Sequence, residues 1–208
     1  MEISSNTFAD GEPIPVHCAF AKPDPDERVT LSDNVNPHLE WFEVPEETRS
    51  FTVICHDSDV PSAGDDVNQP DREVPSELPR VDFFHWVLID IPPDKRSISE
   101  GEFCSGVTAG GKDVRHGPNG TRQGLNDFTG WFGGDPDMGG DYFGYDGPAP
   151  PWNDSIIHHY VFTVYALDVE KVDVEGVFTG HDVRAAIESH VLAQASIEGT
   201  YTQNPRLM

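Results

Sequence analysis

The chain has 208 residues, enough for one domain with a full core, and 37% of them are apolar. Nineteen glycines and eighteen prolines argue against a helical bundle and for strands joined by long loops. The formal net charge of −24 excludes nucleic acid as a partner, because phosphate contacts need basic surface, and it disfavours anionic membranes for the same reason.

In chain order, the opening segment MEISSNTFADGEPIPVHCAF has no basic stretch leading into an apolar one, so it does not read as a secretory leader. No later run approaches the roughly 18 apolar residues needed to cross a bilayer. Cys18, Cys55 and Cys104 are few and odd in number, which points to reduced thiols in a cytoplasmic protein. The 22 Asp against 4 Lys leave two readings of the acidity open: a salt-rich cytoplasm, or an ordinary acidic protein.

Strand-like runs follow at 50–57 (SFTVICHD), 83–91 (FFHWVLIDI), 159–168 (HYVFTVYALD) and 195–203 (ASIEGTYTQ). The second and third are apolar on both faces, as central strands covered on both sides are. Residues 61–82 carry four prolines and read as a loop. Residues 105–155 are rich in Gly, Pro, Asp and Asn, yet hold Phe128, Trp131, Phe132, Tyr142, Phe143, Tyr145 and Trp152. Disordered segments are poor in aromatics, so this reads as an ordered excursion packed by its own rings. At 179–194, Val183, Ile187, His190, Val191 and Gln194 follow helical spacing. Thr179 is the expected N-cap, with Asp182 as its capping-box partner.

Three strands each place a polar group near an apolar face. Alternation puts Asp57 and Asp59 with Val53 and Cys55, and His85 with Val87 and Ile89. It puts His158 with Tyr160 and Phe162, and His159 on the opposite face with Val161 and Thr163. If the strands neighbour one another, with His85 and His158 on adjacent ones, an Asp–His–His cluster forms at one end of the sheet. No phosphate-binding glycine loop, nucleophile elbow or paired-cysteine motif competes with it. No HxH or HExxH spacing supports a metal, and no cofactor is indicated.

Several motifs in order resemble the phosphatidylethanolamine-binding protein family, in its bacterial, Raf-kinase-inhibitor-like branch. They are NVNPHLEW (34–41), DSDVP (57–61), FHWVLIDIP (84–92), GLNDF (124–128), GYDGPAPP (144–151), HHYVFTVYALD (158–168) and the closing HVLAQASIEGTYT (190–202). The resemblance implies one domain over residues 1–208: a large antiparallel sheet packed against a smaller one, with few helices. It implies a non-enzymatic binding module for a small phosphate, carboxylate or phospholipid head group, with a possible role in regulating a partner protein. The implied pocket comprises Asp57, His85 and His158, surrounded by Asp59, Tyr145, Gly147, Pro150 and Tyr160. His159 stands where relatives have Arg, and Ser58 replaces the first proline of the DPDxP motif. The alternative is a hydrolase or metal-dependent enzyme built on the same Asp57, His85 and His158. A homodimer and a protein partner are left open.

Overall fold

The computed structural model describes all 208 residues and is built mainly from antiparallel strands. Ten strands follow in order: β1 (Glu2–Ser4), β2 (Ala21–Asp24), β3 (Arg28–Leu31), β4 (Leu39–Phe42) and β5 (Ser50–Pro61), then β6 (Arg80–Ile91), β7 (Ser97–Ile98), β8 (Arg122–Gln123), β9 (His158–Leu167) and β10 (Val191–Tyr201). The α-helices are α1 (Phe128–Trp131) and α2 (Gly180–Ile187). The large sheet has the order β10-β9-β5-β6-β8, the small one β1-β4-β7, and β2 with β3 forms a separate hairpin.

The two-sided apolar pattern of β5, β6 and β9 has the expected consequence. On one face Val53, Leu88, Phe162 and Val164 pack with Leu39 and Trp41 of the small sheet. On the other, Ile54, Phe84, Val87 and Ile89 meet Val183 and Ile187 of α2. Each such aliphatic side chain removed from water contributes roughly 1.5–3 kcal/mol. The capping box at Thr179 and Asp182 is present in both directions. No helix is long and apolar enough to cross a membrane.

Two expectations need correction. The helical pattern over 179–194 breaks after Ile187, and Val191 and Gln194 belong to β10, which begins four residues earlier than its sequence pattern suggests. Val191 satisfies both periods, the helical one of 183, 187 and 191 and the strand one of 191, 193, 195 and 197. Strand pairing prevails because β10 satisfies the backbone along the edge of β9 from Leu167 to His158. Second, β6 and β9 are not adjacent: β5, carrying Asp57, lies between them. Both histidine-bearing strands therefore flank the carboxylate.

A β-bulge decides the aim of His85. Cys55 pairs with Trp86 and His56 with Phe84, so His85 is an extra residue on β6. Simple alternation would turn it toward Val87 and Ile89 on the α2 face. The bulge turns it instead toward Tyr160 of β9, whose ring lies edge-on at 5.1 Å.

Candidate functional site

The three central strands and the long 105–155 excursion enclose a cavity of about 480 Å³. At its polar end stand Asp57, His85, His158 and Tyr160. Phe83, Phe128, Trp131, Phe132 and Met138 form an apolar flank, and Ala149–Trp152 close another side. The excursion is held by its own rings, as expected. Phe20, Phe128 and Phe132 form a mutual cluster, with Phe128 stacked on Phe20 at 4.5 Å and on Phe132 at 5.5 Å, and Tyr142 is fully buried. Trp131 is the exception, with 51% of its surface exposed at the rim.

His158 is fully buried, and both of its ring nitrogens are engaged. Nδ1 lies 2.7 Å from Asp57 Oδ2, and Nε2 lies 3.1 Å from Asp154 Oδ2. Burial alone would lower its pKa, but the hydrogen bonds and charges of Asp154 and Asp57 outweigh it and hold the imidazolium up to about 9. Burial would raise the Asp154 carboxyl, yet His158 and Arg80 together hold it below the usual range. Arg80 grips Asp154 with both terminal nitrogens, at 2.7 and 3.0 Å. The result is a four-membered chain, Asp57–His158–Asp154–Arg80, whose two carboxylates are balanced by two cations.

His85 behaves in the opposite way. It is buried, and burial pushes its pKa down to about 4 despite the Asp57 charge. Nδ1 lies 2.8 Å from the Asp146 carbonyl, which can only accept, so the neutral ring carries its proton there. Nε2 is then the lone-pair nitrogen of the neutral ring. The Tyr160 hydroxyl is buried without a hydrogen-bond partner, and so is Gln203 Oε1. Burial and the nearby Asp57 raise the Tyr160 pKa well above its ordinary value.

The residues expected around the pocket divide in two. Asp57, His85, His158, Tyr160 and Pro150 line the cavity. Asp59, Tyr145 and Gly147 do not. Bulging of β5 beyond Asp57 turns Asp59 to the outer face. There its Oδ2 accepts from the His159 backbone N–H at 2.9 Å and lies 2.7 Å from His159 Nδ1. The Tyr145 hydroxyl donates to the Cys18 carbonyl at 2.7 Å, inside the core. The Gly147 N–H donates to Asn34 Oδ1 at 2.8 Å, so this turn offers no backbone donor there for a ligand.

Sequence reasoning missed Asp154, Arg80, Phe83 and Gln203. An arginine at the mouth of a strand, in a chain with thirteen basic residues, was the one available signal. It missed Asp146 as well, whose buried carboxylate accepts from Asn34 Nδ2 at 2.7 Å, Asn126 Nδ2 at 2.7 Å and Lys112 Nζ at 2.9 Å. Three separated motifs, NVNP, GLND and GYDGP, thus converge on one side chain, and the carbonyl of that residue orients His85.

A large antiparallel sheet closed by a smaller one, with a partly apolar cavity ending in buried Asp and His at its strand ends, defines a small-ligand binding fold. The model of the phosphatidylethanolamine-binding protein family matches residues 4–202, and the chain belongs to that family. It is 33% identical to the UPF0098 protein YbhB of Escherichia coli over 97% of this chain and 100% of the relative. It is likewise 33% identical to a UPF0098 protein of Methanothermobacter thermautotrophicus, over 81% of this chain and 83% of that protein. Among solved structures, Escherichia coli YbcL, described as a member of the mammalian PEBP family, superposes with a TM-score of 0.68 at 27% identity, covering 97% of each chain. A phosphatidylethanolamine-binding-protein homologue from Chlamydia trachomatis shares the fold, with a TM-score of 0.62.

Proposed function

We propose that the cavity binds a small ligand with an anionic head and an apolar body, and that binding draws a proton onto His85. The observation that carries this reading is the polar end of the cavity, where the Tyr160 hydroxyl has no hydrogen-bond partner and the His85 ring lines the wall beside a charge-balanced cluster. An anionic head can accept from the Tyr160 hydroxyl. It can also accept from His85 Nε2–H once that nitrogen is protonated, a charge-assisted bond worth roughly 1.5–3 kcal/mol. His158 is not a donor to the ligand, since both its nitrogens are spent. Its role is positional: with Arg80 it neutralises Asp57 and Asp154, so that an anion meets no net negative charge at the polar end. The rings of Phe83, Phe128 and Trp131 cover the apolar body. A ligand seated under Trp131 also changes the surface that a partner protein would read.

The sign of the pH dependence follows from His85. Its free-state pKa is about 4, and a bound anion raises it. Affinity therefore rises as pH falls from 8 to 5. Calorimetric titration with an alkyl sulfate, whose own charge is constant over this range, isolates the protein's proton. The expected result is one-to-one binding, at least several-fold tighter at pH 5 than at pH 8, with proton uptake, and a flat profile in His85→Ala. Failure to bind either an alkyl sulfate or an alkyl phosphate would refute the anion reading, as would pH-independent binding that His85→Ala leaves unchanged.

A further inference from the structure

Outside the cavity, one cluster combines three different metal-ligating side chains. The short turn Val16–Cys18 follows Pro15 and carries His17 and Cys18 side by side. Glu100 comes to them from the segment after β7. Its Oε2 accepts from Thr7 Oγ1 at 2.7 Å, which leaves Oε1 facing His17 Nε2 at 3.2 Å. His17 Nε2 has no hydrogen-bond partner of acceptable geometry. The Cys18 thiol is fully buried, while His17 and Glu100 each remain about two-fifths exposed. Ligand atoms of the three residues lie within 4.8 Å of one another.

We propose that His17, Cys18 and Glu100 form a site for a zinc-class divalent transition ion, with the fourth position open to water. Nitrogen and oxygen ligands at about 2.0–2.1 Å around a tetrahedral ion stand roughly 3.3 Å apart, close to the 3.2 Å found between His17 and Glu100. The thiolate needs only to close on them by a side-chain rotation or small backbone shift. A mixed N, S, O set suits zinc or cobalt and not the hard cations calcium or magnesium, which take oxygen ligands. The surrounding charge of −24 concentrates divalent cations near the surface. Without an ion, Cys18 is a buried free thiol that carries its proton. Coordination forms one metal–sulfur bond and releases that proton to solvent.

The site has a route to the cavity. Cys18 is followed by Ala19 and Phe20, and Phe20 stacks on Phe128 in the cavity wall at 4.5 Å. The Cys18 carbonyl accepts from the Tyr145 hydroxyl, which ties the turn to the core.

The test uses the full chain, stripped with a chelator, titrated with Co²⁺ and followed by its absorption. The expected result is a thiolate-to-cobalt charge-transfer band that saturates at one equivalent, with one proton released per ion, and that added Zn²⁺ abolishes. Cys18→Ser removes the band. His17→Ala and Glu100→Gln, both on the surface side of the site, weaken binding by roughly tenfold or more. Absence of the band would overturn the proposal, as would its persistence in Cys18→Ser, which would trace it to Cys55 or Cys104. Unchanged affinity in both surface variants would also overturn it, and that result stands even if the buried Cys18→Ser fails to fold.

Discussion

Raising the pH from 6.5 to 8.5 is predicted to destabilise the fold by about 2 kcal/mol through one side chain, His158. Its folded pKa is raised from 6.5 to about 9, because Asp154 and Asp57 overcome the cost of burial. A raised pKa stabilises fully below the unfolded value and loses that contribution as pH climbs through the folded value. The full linkage is about 3 kcal/mol, and most of it is gone by pH 8.5. The side chain is fully buried, so solvent does not screen the interaction. With a urea m-value of roughly 2–3 kcal/mol/M, the unfolding midpoint should fall by roughly 0.8 M. Thiols raised by burial, such as Cys18 and Cys55, add a smaller loss of the same sign. The comparison that isolates His158 is therefore His158→Gln, which is less stable at pH 6.5 but loses much less between the two pH values. A wild-type midpoint that does not move, or a His158→Gln midpoint that moves as far as the wild type's, would refute the reasoning.

His85 should act with the opposite sign. Its folded pKa is depressed to about 4, so the stability it contributes is present above pH 6.5 and is lost as pH falls toward 4. In His85→Phe, urea midpoints between pH 6.5 and 4.5 should fall less steeply than in the wild type. Arg80→Met leaves the buried Asp154 carboxylate without its bidentate partner and should cost about 3 kcal/mol by urea unfolding. Adding Asp154→Leu should recover part of that loss, because no charge is then stranded; a double variant no better than Arg80→Met would contradict this. His159→Ala breaks a pair that is 43% exposed on the histidine side and should change stability by no more than about 0.5 kcal/mol. The contrast between His158 and His159, adjacent in sequence, is then measured in one denaturation series.

Much of this protein was legible in period and composition. The runs around Val53, Leu88 and Phe162 are apolar on both faces, and a strand with two dry faces has to be sandwiched. The excursion from 105 to 155 carries too many aromatic rings to remain in water, so it had to fold back on itself. Thr179 followed by Asp182 announces a helix start through purely local hydrogen bonds. The grouping of Asp57 with His85 and His158 at one end of the sheet was expected from their strand-end placement and a family resemblance; which histidine Asp57 would engage was not.

What the tertiary structure alone decided was aim and occupancy. Period-two alternation holds only until an extra residue enters a strand, and the bulge opposite Cys55 and His56 turns His85 from the helix-covered face to the cavity. A second bulge, beyond Asp57, sends Asp59 to His159 on the outer face. Which nitrogens remain free for a ligand depends on partners far away in the chain. Asp57 lies 101 residues from His158, and Arg80 lies 74 from Asp154. A sequence shows that an imidazole is present. Only the packed fold, by setting desolvation against each nearby carboxylate, holds one histidine protonated up to about pH 9 and leaves the other neutral.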